Sequence, residues 1–527
     1  MKQKTKKLLL LRKNNLCKIS KTNRLRSCGA CFHLSKSHFQ GTIVEVMAED
    51  KNTEKKITPR STDYSEWYLD IIAAADLADY SPVKGCMILK PNGYALWERV
   101  QEVLNREFKA LGVKNAYFPL LIPERLLKRE AQHVEGFAPE VAVVTHGGGQ
   151  KLDEPLIIRP TSETIMYEVF KDWVRSYRDL PLLINQWANV VRWEMRTKPF
   201  LRTTEFLWQE GHTVHVNEAE ADAWAQQMLQ VYKKFFAEYM AIPVIIGVKT
   251  DSERFAGALR TYTCEAMMQD GKALQIATSH NLGDNFARAF DIKYLSAEGN
   301  QEYGWQTSWG LSTRSIGGLI MTHSDDKGFV IPPMMASTHL VVVPIIPKPE
   351  QKESIEEKAQ SIAELIRVKG YDVHVDTRDM RHGEKYFEWE KKGIPVRIEI
   401  GPKDIENNSV VAVRRDTGEK ESVAIDQLTD KVTSLLNSIQ ANLLDKAKSM
   451  QAENTVSVDT WDEFVSALEN RKFILAHWDG TAETEKAIKD ETGATIRCLP
   501  FDSVDEVGRC IKTGNSSARR VIFAKAH

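Results

Sequence analysis

Residues 186–215 alternate apolar and polar side chains on both sides of the polar stretch "MRTKP". This period of two on either side of a turn predicts a long antiparallel hairpin. Few arrangements accommodate such a ribbon in the middle of a chain. "VIIGV" (244–248) and "ALQIATSH" (273–280) read as further strands, and "GWQTSWGLSTRSIGGLIMTH" (304–323) as a strand entering a helix. A helix is expected over Tyr94–Leu111, with Trp97, Val100, Val103, Leu104, Phe108 and Leu111 at helical spacing and Gly112 just beyond its end. Another spans 218–240, with Glu and Asp in its first turn. "AYFPLLIP" (116–123) reads as a strand, placed at an edge because Pro119 cannot donate to a ladder. "PLIIRPTSETIMYEVFKDWV" (155–174) reads as strand then helix, with Thr161 or Ser162 available as cap. Strands joined as hairpins with helices outside imply an antiparallel sheet flanked by helices, an α+β domain within an α/β chain.

After the Pro- and charge-rich link "IIPKPEQKE" (345–353) the pattern changes. Strands at 339–346, 372–376 and 396–400 alternate with helices near 352–368 and 383–392, which predicts a small α/β domain with a mostly parallel sheet. A long helix follows from Ile425 to about Met450, and "KFILAHW" and "RRVIFA" are the clearest strands of a last small α/β unit. The expected division is 1–57, 58–335, 336–440 and 441–527.

At 527 residues, 42% hydrophobic and 27% charged, the chain has material for several cores, which excludes wholly disordered or collagen-like readings. No run approaches a membrane span, and seven cysteines make no disulfide framework, so a reducing, cytoplasmic compartment is expected. Residues 1–44 hold 8 Lys, 3 Arg and no acid; this +11 leaves −12 for the remainder. A polyanionic partner must therefore meet local basic patches. Residues 1–57 are expected to be a basic extension, read as a disordered tail, an over-extended start or a targeting segment; the Cys28–Cys31 pair is half a metal site at most.

The hairpin carries the densest chemistry. "VVRWEMRTKPFLRTTEFLWQEGHTVH" puts Arg192 and Glu194 on one strand face, Arg202 across the loop, then Phe206 and Trp208. A guanidinium suits phosphate or carboxylate, a carboxylate can accept from an exocyclic amine, and an aromatic ring can stack on a purine. A lone Arg-x-Glu would be an ordinary ion pair. Here the cluster resembles motif 2 of class II aminoacyl-tRNA synthetases. "GYALWERVQEVLNREFKALGVKNAYFPLLIP" resembles motif 1, and "GWQTSWGLSTRSIGG" motif 3, in the right order. "HVEGFAPEVAVVTHGGGQKLDEPLIIRPTSET", "FLRTTEFLWQEGHT" and "LQIATSHNLGDNF" are similar to the prolyl-tRNA synthetase family, of the archaeal and eukaryotic type.

The resemblance implies activation of L-proline by ATP with Mg²⁺, then transfer to proline tRNA. It implies that Arg192 bridges the proline carboxylate and the α-phosphate. Glu194 accepts from adenine, Arg202 and Thr203 contact ATP, and Phe206 is the adenine platform. Arg314 meets the γ-phosphate or stacks near adenine, Gln275 helps place the nucleotide and its Mg²⁺, and Ser312 touches the ribose. Thr161 and Glu163 hold the proline ammonium; Phe137, Trp208 and His212 wall its ring, with Thr278 and His280 closing the pocket. Residues 338–440 look like an anticodon-binding domain, with Arg378, Arg381, Lys385 and Arg397 as tRNA contacts. About 90 residues separate motifs 2 and 3, too little for an editing insertion. The family often carries a four-cysteine zinc site in its tail; Cys498 and Cys510 alone cannot form one, so no structural zinc is expected. Family members commonly end in a tyrosine whose carboxylate reaches the active site, and His527 leaves that role open here. Motif 1 implies a homodimer.

Overall fold

The computed structural model describes residues 56–133 and 140–527; the basic stretch through residue 55, including Cys28 and Cys31, and Phe137 lie outside the described residues. Helix α1 (Pro91–Ala110) has proline in its first turn, where the missing N–H costs nothing. It ends before Gly112, whose φ of +84° disfavours any side chain. The strand expected over 116–123 is split. β1 (Lys114–Asn115) joins the main sheet, whereas Leu121–Pro123 pairs with Gln150–Ile158 in a separate small sheet. Pro119 falls in the gap between them, and both fragments lie at sheet edges.

Helix α2 (Glu163–Trp173) follows, and then the hairpin β2 (Leu182–Val191) and β3 (Glu205–His215), paired from Leu182↔Val214 to Val191↔Glu205. Helix α3 (Glu218–Glu238) is capped by Asn217, whose side chain accepts from Glu220 N. Strands β4 (Val244–Val248), β5 (Arg260–Met267), β6 (Ala273–Gly283) and β7 (Trp305–Ser312) lead into α4 (Arg314–His323). β5 escapes sequence reading because all but its first residue are buried, which erases the polar alternation.

Alternation sorts the hairpin by face. Leu207, Gln209 and Gly211 of β3 point toward α1 and α3, where Trp309 packs edge-on against Phe108 at 6.1 Å. A Cβ on Gly211 would stand 2.1 Å from the Trp309 ring, so this strand position requires glycine. Phe206, Trp208, Glu210 and His212 point the other way, into an open cleft.

The next module has β8 (Leu340–Pro344), α5 (Lys352–Arg367), β9 (Val373–Val375), α6 (His382–Lys392), β10 (Val396–Ile400), β11 (Ser409–Arg414), β12 (Lys420–Ala424) and α7 (Leu428–Glu453). Its sheet, ordered β9-β8-β10-β11-β12, is mixed rather than mostly parallel: β8 runs parallel to both neighbours, while β11 and β12 add antiparallel.

The final segment supplies β13 (Thr455–Ser457), β14 (Phe473–His477), β15 (Thr495–Pro500) and β16 (Arg520–Ala524). These strands continue the first sheet. β15 pairs antiparallel with β4 through Leu499↔Val248 and Pro500↔Gly247, giving an 11-stranded sheet ordered β13-β14-β16-β15-β4-β5-β6-β7-β3-β2-β1. A Cβ on Gly247 would meet Leu499 O at 2.2 Å, so glycine lets the backbones meet.

Candidate active site

The cleft, of about 280 Å³, opens on the face of β3, β6 and β7 away from α1 and α3. It brings together Thr161, Glu163, Arg192, Phe206, Trp208, His212, Gln275, Thr278, His280, Ser312 and Arg314 from segments far apart in sequence. Arg192 leaves β2 at the cleft. Its Nε donates to Pro160 O at 2.9 Å, and its guanidinium lies 5.3 Å from the Trp208 ring centroid and 5.7 Å from that of Phe206. The group is crowded from behind yet reachable through the cleft. Burial lowers its pKa, against the charges of Glu163 and Glu210, and it stays cationic.

Neither Thr161 nor Ser162 caps α2. Thr161 donates instead to Glu163, and Ser162 donates to Glu210 Oε1 at 2.5 Å. Two buried carboxylates outcompete the helix end for these hydroxyls. Glu210 also accepts from Gln186 at 2.8 Å and lies 3.2 Å from His212 Nε2, while Tyr167 OH is 3.0 Å from His212 Nδ1. Burial opposes the Glu210 charge, but the bonds from His212, Ser162 and Gln186 outweigh it and hold the carboxyl below its ordinary range. Burial likewise opposes the His212 charge, but Glu210 and Glu163 raise its pKa. His280 differs: burial, then the charge of His212, push it down to about 3, so it is neutral. Thr261 Oγ1 lies 3.0 Å from its Nδ1, and Phe255 packs at 4.8 Å.

Arg314 crosses the far end of the cleft. Its Nε donates to Leu201 O at 3.2 Å and its Nη1 to Gln275 O at 3.5 Å. Burial lowers its pKa, and Arg192 and Arg202 lower it further. Glu265 opposes this only in part, and cations crowded together in this way make a site for a polyanion. Ser312 Oγ accepts from Arg314 N at 3.2 Å and faces the same space.

Three of the sequence candidates lie outside the cleft lining. Arg202 lies in an adjoining basic pocket with Arg196, Lys198, Lys272 and Arg314, which His527 also borders. The His527 imidazole lies 3.1 Å from Asp270 there. Glu194 lies 3.9 Å from Arg202 at the hairpin tip. Thr203 is buried, its hydroxyl spent on Glu205 O at 2.8 Å. Conversely, Glu210, Glu253 and Phe255 line the cleft unannounced. Glu210 stands between Trp208 and His212 in the same alternation and so shares their face; Phe255 comes from a loop that carries no such signal.

In the second module Arg397 lies 4.2 Å from the Tyr386 ring centroid, beside a cavity of about 260 Å³ between α6 and the β10–β12 strands. Arg381 and Arg378 are exposed, and Arg378 is paired with Asp376 and Glu388. Lys385 corrects the expectation: it is 2% exposed and donates to Asp376 O at 2.9 Å, so it anchors α6 and does not face a ligand. Among the described residues no group of three or more His, Cys, Asp or Glu could hold a metal.

Comparison with known proteins agrees with this layout. A model of the class II tRNA synthetase core domain (G, H, P, S and T) matches residues 144–323. The anticodon binding domain matches 339–435, and the prolyl-tRNA synthetase C-terminal domain 461–527. A proline–tRNA ligase of Prosthecochloris aestuarii is 56% identical over 482 residues, 90% of this chain and 100% of that one. Proline–tRNA ligases of Chlorobium chlorochromatii and Chlorobaculum tepidum are 55% and 54% identical over 481 residues, 90% of this chain and 99% of theirs. With over half its residues shared along 90% of its length, and a class II core around this cleft, the chain belongs to the prolyl-tRNA synthetase family.

Proposed function

We propose that the cleft joins L-proline to ATP at Arg192 and passes the prolyl group to proline tRNA. A proline carboxylate oxygen attacks the α-phosphorus in line, the bond to the bridging oxygen breaks, and pyrophosphate leaves. The terminal ribose hydroxyl of the tRNA then attacks the prolyl-adenylate carbonyl and AMP leaves. The carrying observation is that one guanidinium, Arg192, stands between a carboxylate-lined end (Glu163, Glu210) and an arginine-lined end (Arg314) of one cleft. The first end suits a cationic secondary ammonium; the second suits a triphosphate.

Thr161 and Glu163 would hold the ammonium. Trp208, His212, Thr278 and neutral His280 would surround the ring, with Phe137 as the remaining candidate. Arg192 would touch both carboxylate and α-phosphate, Phe206 would carry adenine and Ser312 the ribose, and Arg314 with Arg202 would take the outer phosphates. Glu194, beside Arg202, would accept from adenine, and Thr203, whose hydroxyl is held by Glu205 O, would support Arg202 from behind. No covalent enzyme nucleophile is required: alignment and fixed positive charge lower the barrier. Gln275 spends its amide nitrogen on Thr263 at 3.2 Å, which leaves its amide oxygen, a hard donor of the kind magnesium takes. Mg²⁺ bound with ATP would supply further charge neutralisation at the phosphates.

The reading extends to the compact archaeal and eukaryotic type without an editing domain. It is supported by the short path from β3 to β7, which holds α3, β4 to β6 and small connecting elements. Division into a catalytic module (58–335), an anticodon module (336–440) and a C-terminal module (441–527), a homodimer, and work in the cytoplasm belong to the same proposal. Exposed Tyr117 beside edge strand β1 supports a second copy as partner. No helix among the described residues is long and apolar enough to cross a membrane. The test is pyrophosphate exchange into ATP across a panel of amino acids. Dependence on proline is expected; exchange driven by another amino acid and not by proline would overturn the reading.

A further inference from the structure

Behind the arginine end of the cleft lies a buried polar chain that begins in the C-terminal segment. Arg497 of β15 donates through Nε and Nη2 to Glu265 Oε2 of β5, at 3.0 and 2.9 Å. The other carboxylate oxygen accepts from Thr263 Oγ1 at 2.9 Å. Thr263 Oγ1 in turn accepts from Gln275 Nε2 at 3.2 Å, and Gln275 O accepts from Arg314 Nη1 at 3.5 Å. Lys249 closes the far side, donating to Arg497 O at 2.8 Å and lying 3.4 Å from Glu265. Glu265 and Thr263 are wholly buried and Arg497 is 7% exposed.

The sheet explains why these groups meet. Thr263 and Glu265 are two apart on β5 and so share a face. Gln275 lies opposite Glu265 in the β5–β6 register, where a bulge between Cys264 and Glu265 shifts the pairing. β15 is carried to the same face by its pairing with β4. A buried carboxylate with a two-pronged partner has one orientation; with that partner gone, it must rotate, draw in water or take a proton. Each response moves the acceptor that Thr263 needs, and Thr263 is what orients the Gln275 amide.

We propose that Arg497 is a positioning residue for the nucleotide end of the cleft, acting through Glu265 and Thr263 on Gln275 and the carbonyl that holds Arg314. Through Arg497, which lies outside the cleft lining, the C-terminal segment thereby sets ATP binding in the catalytic module. This rests on the reading of Gln275 and Arg314 as nucleotide contacts. The proline end, built on α2, β3 and the Thr278–His280 part of β6, has no member of the chain, so the effect is selective for one substrate.

The experiment measures KM for ATP and KM for proline separately, by proline-dependent pyrophosphate exchange on the full chain. Thr263→Val keeps a β-branched strand residue and the Arg497–Glu265 pair but cuts the link; Arg497→Lys keeps the charge but loses the fork. Each is expected to raise KM for ATP about five- to twentyfold while KM for proline moves less than about twofold, and Arg497→Met more than Arg497→Lys. KM does not depend on the fraction of protein that folds, so partial instability of a variant leaves the readout intact. Gln275→Ala is the reference and is expected to raise KM for ATP at least as much. If Gln275→Ala raises it while Thr263→Val and Arg497→Lys stay within about twofold of the unmodified protein, the coupling is overturned and the nucleotide reading stands. If Gln275→Ala leaves it unmoved, the nucleotide reading is overturned and the coupling with it. Equal rises in both KM values overturn the coupling in favour of general loosening.

Discussion

Glu210 and His212, two residues apart on one strand, face each other at 3.2 Å in the floor of the cleft, with one pKa held down and the other raised. The raised His212 favours the fold when protonated. Its contribution is full below the ordinary value of 6.5 and is lost as pH rises through the folded value. The lowered Glu210 contributes above its ordinary 4.5 and is lost as pH falls through its folded value. The melting-temperature gap between the unmodified protein and His212→Gln should therefore be widest between these limits and narrow above 6.5. A gap that widens as pH rises above 6.5 would refute the pair.

His280 acts with the opposite sign. The folded protein keeps it neutral down to about 3, whereas the unfolded chain takes a proton below 6.5. Stability is therefore lost as pH falls from 6.5 toward 3, and His280→Gln should flatten that slope in melts of the ligand-free protein.

Arg192 offers the sharpest test of the chemistry. Arg192→Ala removes the charge expected on the α-phosphate and should lower kcat/KM for proline-dependent exchange by about 10²- to 10³-fold, on the order of 3–4 kcal/mol. Arg192→Lys should recover little, because an ammonium cannot reproduce the fork that reaches Pro160 O and a ligand together. Thermal melts should show Arg192→Ala folded.

Gly211→Ala tests packing alone. The added methyl enters the Trp309 ring, so the strand or the ring must shift, at a cost of about 1–3 kcal/mol. The check is a fall in denaturation midpoint with unchanged slope.

In the anticodon-like module, exposed Arg381 and buried Lys385 should behave differently although both are cations on or beside α6. Arg381→Ala should weaken aminoacylation more than exchange, and less so at raised salt, where the lost contact is already screened. Lys385→Met should lower melting temperature, because it leaves Asp376 O without a buried donor.

Legibility in the sequence followed the range of the interactions. The 186–215 ribbon was readable because each residue's face is fixed by its neighbours two away, and its strands are joined directly through residues 192–204, which keeps the pairing local in sequence. The cleft's core of Arg192, Glu163, Trp208, His212, Gln275 and Arg314 was readable through resemblance, since no single one of them stands out. The merger of β15 with β4 was not readable: Leu499 and Val248 meet only after the intervening modules fold, and nothing in "TIRCLP" names its partner. β5, buried on both faces, and Phe255, on a loop, left no periodic trace. Lys385 misled because charge predicts exposure, and here a backbone carbonyl repaid its burial.

The junction of β15 and β4 has a consequence for how the protein could be shortened. Ending the chain after α7 would strip β4 of its neighbour and turn it into an edge, leaving open the backbone donors and acceptors that now meet Leu499 and Pro500. That is a template on which another unfinished chain can dock, so a trimmed protein would precipitate before it merely lost activity.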